Sequence, residues 1–265
     1  MAPPVDLLRV ATYNVHACVG IDGRYDPDRV AAVVSELDAD IVAVQEFTYP
    51  ATIALETRQP VVFTALDRYE CALGPARQTV THCFGNALLT RHPIADVHRI
   101  DLSIEGREPR SALAATVDVR GVRVHILASH LGLRVGERRF QVRQILEYLE
   151  SVRDTLLVVL GDFNDWLPGR SVVHVLDDRL GRPRRPRSFP SVWPMVPLDR
   201  IWTQPAAALR SIAAYSSPLA RRASDHLPVV AEIDVARAEA AGVEVHGDAT
   251  SATAPVGAGT RDRGR

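Results

Sequence analysis

Short runs rich in Val, Ile, Leu and Ala recur along the chain, at 7–15, 40–46, 61–66, 86–90, 113–119, 122–130, 156–162, 198–203 and 228–235. Runs of this length and composition suit strands buried on both faces, which must lie in sheets covered by other layers. Two stretches between them carry helical signals. Asp26 followed by Pro27 offers an N-cap and a first-turn proline for a helix reaching about Leu37. A second helix over about 137–152 places Phe140, Ile145, Tyr148 and Leu149 on an apolar stripe. Many strands with few long helices predict an α/β fold of two packed sheets flanked by helices, rather than a barrel.

Polar residues end these runs with unusual regularity. TYNVH closes one with Asn14, IVAVQE closes another with Gln45 and Glu46, and ILASHLGL holds His130. LLVVLGDFND delivers Asp162, Asn164 and Asp165, LDRIW supplies Asp199, and SDHLP supplies Ser224, Asp225 and His226. Strand ends are where α/β proteins place ligands. Singly, each residue has an ordinary explanation: a turn, a loop cap, or a strand meeting water. Ser224, Asp225 and His226 cannot form a serine triad, because neighbouring residues point in alternate directions along an extended chain.

Together, the wording and order of TYNVH, VQE, GNALLTRHPI, EPRSAL, SHLGL, LGDFND, LDRIW and SDHLPVVAEI resemble the endonuclease/exonuclease/phosphatase superfamily from Ala11 to about Ile233. The resemblance implies a four-layer α/β sandwich of two mixed sheets between helices. It also implies a metal-dependent phosphoric ester hydrolase in which activated water attacks in line. Glu46 would be the principal Mg²⁺ ligand, with Asn14 and Asp225 in the metal set and Mn²⁺ as a substitute; hard oxygen ligands suit such ions. Asp162 and Asn164 would orient water and the phosphoryl group, and Asp225 would bond one nitrogen of His226. His130 would contact phosphate or leaving group, and Asp199 would join the catalytic network. Asn14, Arg110, Asn164 and His226 would bind substrate, although Arg110 equally suits a salt bridge to Glu108.

Composition narrows the chemistry. All 31 basic residues are arginine, so neither Schiff-base chemistry nor a P-loop lysine is available. A net charge of -1 weakens the case for a nuclease with a long nucleic-acid footprint and favours a small-molecule or lipid-headgroup phosphoester. A nuclease, or a non-catalytic metal- and phosphate-binding module of the same fold, remains the alternative. The arginines at 182, 184, 185 and 187 form either a phosphate-contacting patch or a solvated loop. Cys18, Cys71 and Cys83 lack paired spacing and read as reduced thiols. No transmembrane segment is expected, and the reading is a cytoplasmic monomer. The catalytic domain is placed at 1–235, with 236–265 as a disordered tail because aromatics vanish there.

Overall fold

A computed structural model of the chain describes residues 7–52, 66–153, 155–167 and 171–240. Among the described residues, one sheet has six strands. They are β1 (Leu7–Asn14), β2 (Ile41–Pro50), β3 (Glu70–Gln78), β4 (His82–Thr90), β10 (Leu209–Ala214) and β11 (Val229–Asp234), in spatial order β10-β11-β1-β2-β4-β3. The second sheet has five: β5 (Ile94–Asp101), β6 (Ser111–Val119), β7 (Val122–His130), β8 (Leu156–Asp162) and β9 (Asp199–Gln204), side by side in that order. Each sheet contains one parallel pair, β1 with β2 and β7 with β8, and its other pairings are antiparallel.

A helix makes each parallel crossover. α1 (Pro27–Leu37) starts where Asp26 Oδ1 accepts the Arg29 N–H at 2.9 Å, with Pro27 in its first turn, and it lies where the sequence placed it. Its Val30, Val33, Val34 and Leu37 pack on Ala11, Tyr13, Val42 and Val44, the outer face of the six-stranded sheet. α2 (Val135–Leu149) covers the other sheet, setting Val142, Ile145 and Leu149 against Leu127, Leu157 and Val159. Phe140 departs from the expected stripe: it is 39% exposed, while Arg138, Gln141, Val142, Ile145 and Leu149 are buried at three- and four-residue steps. α3 (His174–Leu180) lies over the same face, and α4 (Ala220–Ala223) lies with α1.

Between the sheets, Val10, Ile41, Ala43 and Leu88 meet Leu113, Ala115, Ile126, Val158 and Ile201 in one fully buried core. The layers therefore run helix, sheet, sheet, helix, the four-layer sandwich that the resemblance implied. β3, β5 and β10 come from stretches where no strand was expected. Most of the run at 61–66 lies outside the described residues. α5 (Val235–Ala240) continues helically into the segment read as tail, and 241–265 lie outside the described residues. The three cysteines are free, and none of the described helices is long and apolar enough to cross a membrane.

Candidate active site

The alternation of strand side chains builds the site. On β1, Leu8 and Val10 face the inner core, so Thr12 and Asn14 follow on the same face. Likewise Ile126 and Ala128 lead to His130, Val158 and Leu160 lead to Asp162, and Ile201 leads back to Asp199. His130 pairs in register with Asp162, and Asp162 with Asp199. Because β1 and β2, like β7 and β8, are parallel, their C-terminal ends open at a common rim. Asn14 Nδ2 spans the two sheets there, donating to Glu46 Oε1 at 2.9 Å and to Asp162 Oδ2 at 3.0 Å.

Glu46 reaches this face through a distortion. Gln45 and Glu46 together oppose the single residue Asn86, and Glu46 takes φ 55°. Such a bulge re-aims a side chain that regular alternation would send outward. Gln45 thus accepts from Thr12 Oγ1 at 3.0 Å while Glu46 also turns inward to Asn14.

His226 enters from the loop before β11. Its Nδ1 lies 2.9 Å from Asp199 Oδ2 and its Nε2 3.8 Å from Asp162 Oδ2. Ser188 Oγ donates to the same Asp199 oxygen at 2.5 Å, and Ser224 Oγ donates to the Asn14 carbonyl at 2.7 Å, tying the loop to β1. Burial opposes charge on His226, but the Asp199 and Asp162 carboxylates outweigh it and lift the imidazole to about 10. His130 goes the other way, down to about 3. Burial is the main cause, Asp162 opposes it, and the Arg110 and His226 charges add to it. The ring stays neutral, with Nε2 3.1 Å from Asn164 Nδ2. Asn164, at φ 49°, is held there by its N–H to Asp162 Oδ1 and by its amide to the Leu131 carbonyl, both at 2.9 Å.

The profile of the Endonuclease/Exonuclease/phosphatase family matches residues 11–226, from β1 to His226. The chain belongs to the endonuclease/exonuclease/phosphatase family. YbhP of Escherichia coli K12, itself uncharacterized, is 30% identical over 249 residues, covering 85% of this chain and 95% of YbhP. A solved endonuclease/exonuclease/phosphatase from Beutenbergia cavernae is 25% identical at TM-score 0.65, covering 86% of this chain and 72% of that one. The mannosyl-6-phosphatase Bt3783 of Bacteroides thetaiotaomicron has TM-score 0.65 at 18% identity, covering 85% and 99%, and shares the fold. So does D. rerio TDP2 complexed with single-strand DNA product, at TM-score 0.62 and 19% identity, covering 86% and 98%.

Within this family member, the expected residues Asn14, Glu46, His130, Asp162, Asn164, Asp199 and His226 do meet, but two expectations are corrected. Asp225 does not bond the His226 ring: as chain neighbours they point apart, and the ring turns to Asp199. Asp225 Oδ1 instead lies 3.3 Å from Ser224 Oγ, whose one proton is best placed for the nearer Asn14 carbonyl. Asn14 presents nitrogen rather than oxygen to the carboxylates, because its Oδ1 accepts the His16 N–H at 3.0 Å. Arg110 is buried and pairs with Glu108 at 2.9 Å, while its charge still reaches His130 and its Nε has no partner. Asp165 faces away, accepting the N–H groups of Val172 and Val173 at 2.8 and 2.9 Å. Ser188 and Asn86 were not singled out in the sequence. GNALLT carried a motif signal for Asn86, whose amide donates to the Ser111 carbonyl at 2.8 Å; nothing local marked Ser188.

Asp162, Asp199 and His226 bring ligand atoms within 4.8 Å of one another and could hold a metal ion. A protonated ring bonded to Asp199 is a poor ligand, however. The Glu46 side fits a cation better. Burial raises the Glu46 carboxyl, the Asn14 amide opposes that, and the neighbouring Asp162 and Asp225 charges raise it further. Such crowded hard anionic oxygens, with no arginine paired to Glu46 or Asp162 among the described residues, suit a divalent ion.

Proposed function

We propose that the chain is a Mg²⁺-dependent phosphoesterase, with Mn²⁺ as a substitute, acting on a small phosphoester or lipid headgroup. One observation carries this reading. Asn14 links the carboxylates of Glu46 and Asp162 across the two sheets, while the Asp199–His226 pair closes the same pocket from the other side. Glu46 and Asp225 would hold the cation, which when bound supplies charge neutralisation for phosphoryl oxygens.

The remaining roles follow from protonation and position. Asp162, buried and 3.8 Å from the charged His226 ring, takes the proton of the attacking water. Protonated His226 presents Nε2–H to the phosphoryl group as negative charge grows there. Asp199 orients the ring and keeps it charged, with Ser188 holding Asp199 in place. Neutral His130 and the Asn164 amide contact phosphate or the leaving group, and Arg110, paired with Glu108 through Nη2, keeps a free Nε–H behind them.

The test is a panel of inositol phosphates, sugar phosphates, phospholipids and single- and double-stranded DNA, each with Mg²⁺, Mn²⁺ or chelator. Turnover of a small or lipid phosphoester that chelator abolishes is expected. Retained Mg²⁺ binding without hydrolysis of any substrate would instead favour a binding module. Efficient DNA cleavage that weakens steeply with salt would favour a nuclease.

A further inference from the structure

One rim of the cleft is apolar and basic, and the chemistry above does not use it. The loop 189–196 is fixed at its foot, where Ser188 and Phe189 N–H both donate to the Val196 carbonyl at 3.1 Å and Ser191 N–H donates to the Asp225 carbonyl at 2.7 Å. From this anchored loop Trp193 stands 74% exposed and Met195 56%, with Val192 beside them. Arg221 Nη1 donates to the Val192 carbonyl at 2.9 Å, and the next carbonyl, of Arg222, accepts from exposed Ile21 at 3.1 Å. Single exposed apolar side chains are ordinary, but a contiguous group marks an interaction site.

Charge says what kind. Arg187, at the foot of the loop, and Arg221 are exposed and make no ion pair among the described residues. Asp22, the nearest carboxylate beside Ile21, is already bonded to Arg29 at 2.9 Å. The patch therefore joins large apolar side chains to two guanidinium groups whose charge no carboxylate neutralises among the described residues, although that of Arg221 also donates to the Val192 carbonyl and to Ser216 Oγ, both at 2.9 Å. Phe189, in the same loop, has its ring 4.9 Å from that of His226, so the patch borders the pocket directly.

We propose that this rim docks on an anionic lipid surface, with Trp193, Met195 and Val192 entering the headgroup region and Arg187 and Arg221 meeting lipid phosphates. Tryptophan suits the membrane interface because one end is apolar and the other wet. Of these side chains Trp193 offers a ring for a nucleobase, whereas Val192, Met195 and Ile21 gain from acyl chains and offer none, which favours a lipid surface over a platform for successive stacked bases. The proposal stands apart from the phosphoesterase reading, because docking is read without turnover.

The chain has three tryptophans, and Trp202 is fully buried. In the full-length Trp166→Phe variant, emission changes on adding vesicles therefore report Trp193. Vesicles of phosphatidylcholine with about one-third phosphatidylglycerol should shift that emission to the blue and carry the protein on flotation, with pure phosphatidylcholine weaker. Trp193→Ala combined with Met195→Ser should lower the partition coefficient by about tenfold or more. Arg187→Gln and Arg221→Gln should each lower it about fivefold, and added salt should weaken it. An unmoved Trp193 emission with anionic vesicles overturns the proposal whether or not the variants fold. So does wild-type binding by the double variant, or an oligonucleotide that shifts Trp193 where vesicles do not.

Discussion

Asp162, His130 and Asp199 reach the cleft on strands of the five-stranded sheet without a register shift at the site: Asp162 and His130 are each the next inward position after two or more buried apolar ones, and Asp199 is the inward position just before Ile201. Glu46, from the six-stranded sheet, reaches it only through a bulge and a left-handed backbone. One half of the site is thus set by register and the other by a local distortion. Register is shared by a whole strand and resists single substitutions, whereas a bulge places one side chain at a local cost. The division follows chemistry as well: the regular half carries the imidazoles with Asp162 and Asp199, and the distorted half carries the expected principal ligand.

If that division is functional, losses on the two sides will differ in kind. The largest effect is expected for His226→Ala, a fall in turnover of about 10³-fold that added Mg²⁺ does not restore. Asp199→Asn should follow at about 10²-fold, equally unresponsive to metal, because it loses the partner that orients and charges the ring. Turnover measured against Mg²⁺ concentration checks both; near-normal turnover of His226→Ala at saturating metal would break the comparison. Glu46→Gln should instead weaken apparent metal affinity by at least roughly 10–100-fold and regain activity as Mg²⁺ rises. Asp225→Asn should resemble Glu46→Gln rather than Asp199→Asn.

Much of this was legible in the sequence because the signal is periodic. Val10 then Asn14, Ile126 then His130, and Val158 then Asp162 each keep the inward step of two. The strands that escaped notice, β3, β5 and β10, are all sheet edges with only one neighbour. β5 and β10 are largely solvated, and β3 carries Gly74 and Pro75, so none shows a continuous apolar run. The partner of His226 was misread for a different reason. Asp225 is adjacent in sequence, but the pairing depends on how a loop meets β9, which no local pattern encodes. The inward turn of Glu46 was equally hidden, since a bulge shows only in the pairing of β2 with β4.

A smaller effect tests the regular half at its backbone. Gly161, just before Asp162, has φ 147°, and a Cβ there would lie 1.9 Å from the Ser129 carbonyl oxygen. Gly161→Ala should lower stability by about 2 kcal/mol, read from urea unfolding, and should impair turnover in the folded fraction without metal rescue. Metal rescue would show that Gly161 serves the Glu46 side instead.

The finest test is titration of the two imidazoles by NMR in metal-free protein. His226 should stay charged until about pH 10, while His130 stays neutral down to about pH 3. Because the folded value of His226 lies above its unfolded value of about 6.5, its contribution to stability is complete below that pH. It is lost as pH rises through about 10. The stability gap between the wild type and His226→Ala should therefore narrow across that window. A gap that widens instead would mean the carboxylates do not hold the ring charged.

β11 lies between β10 and β1, with Leu7 opposite Asp234, so a strand translated early is flanked on one side by one translated far later. During synthesis β1 waits with an open edge while more than two hundred residues are added. Asn14, Glu46, His130 and Asp162 are all translated before Asp199 and His226 arrive. Pairing between such distant segments is slow, and an open edge invites wrong partners. The nascent chain should therefore depend on chaperones until β11 closes the sheet, and no partial product should hydrolyse its substrate.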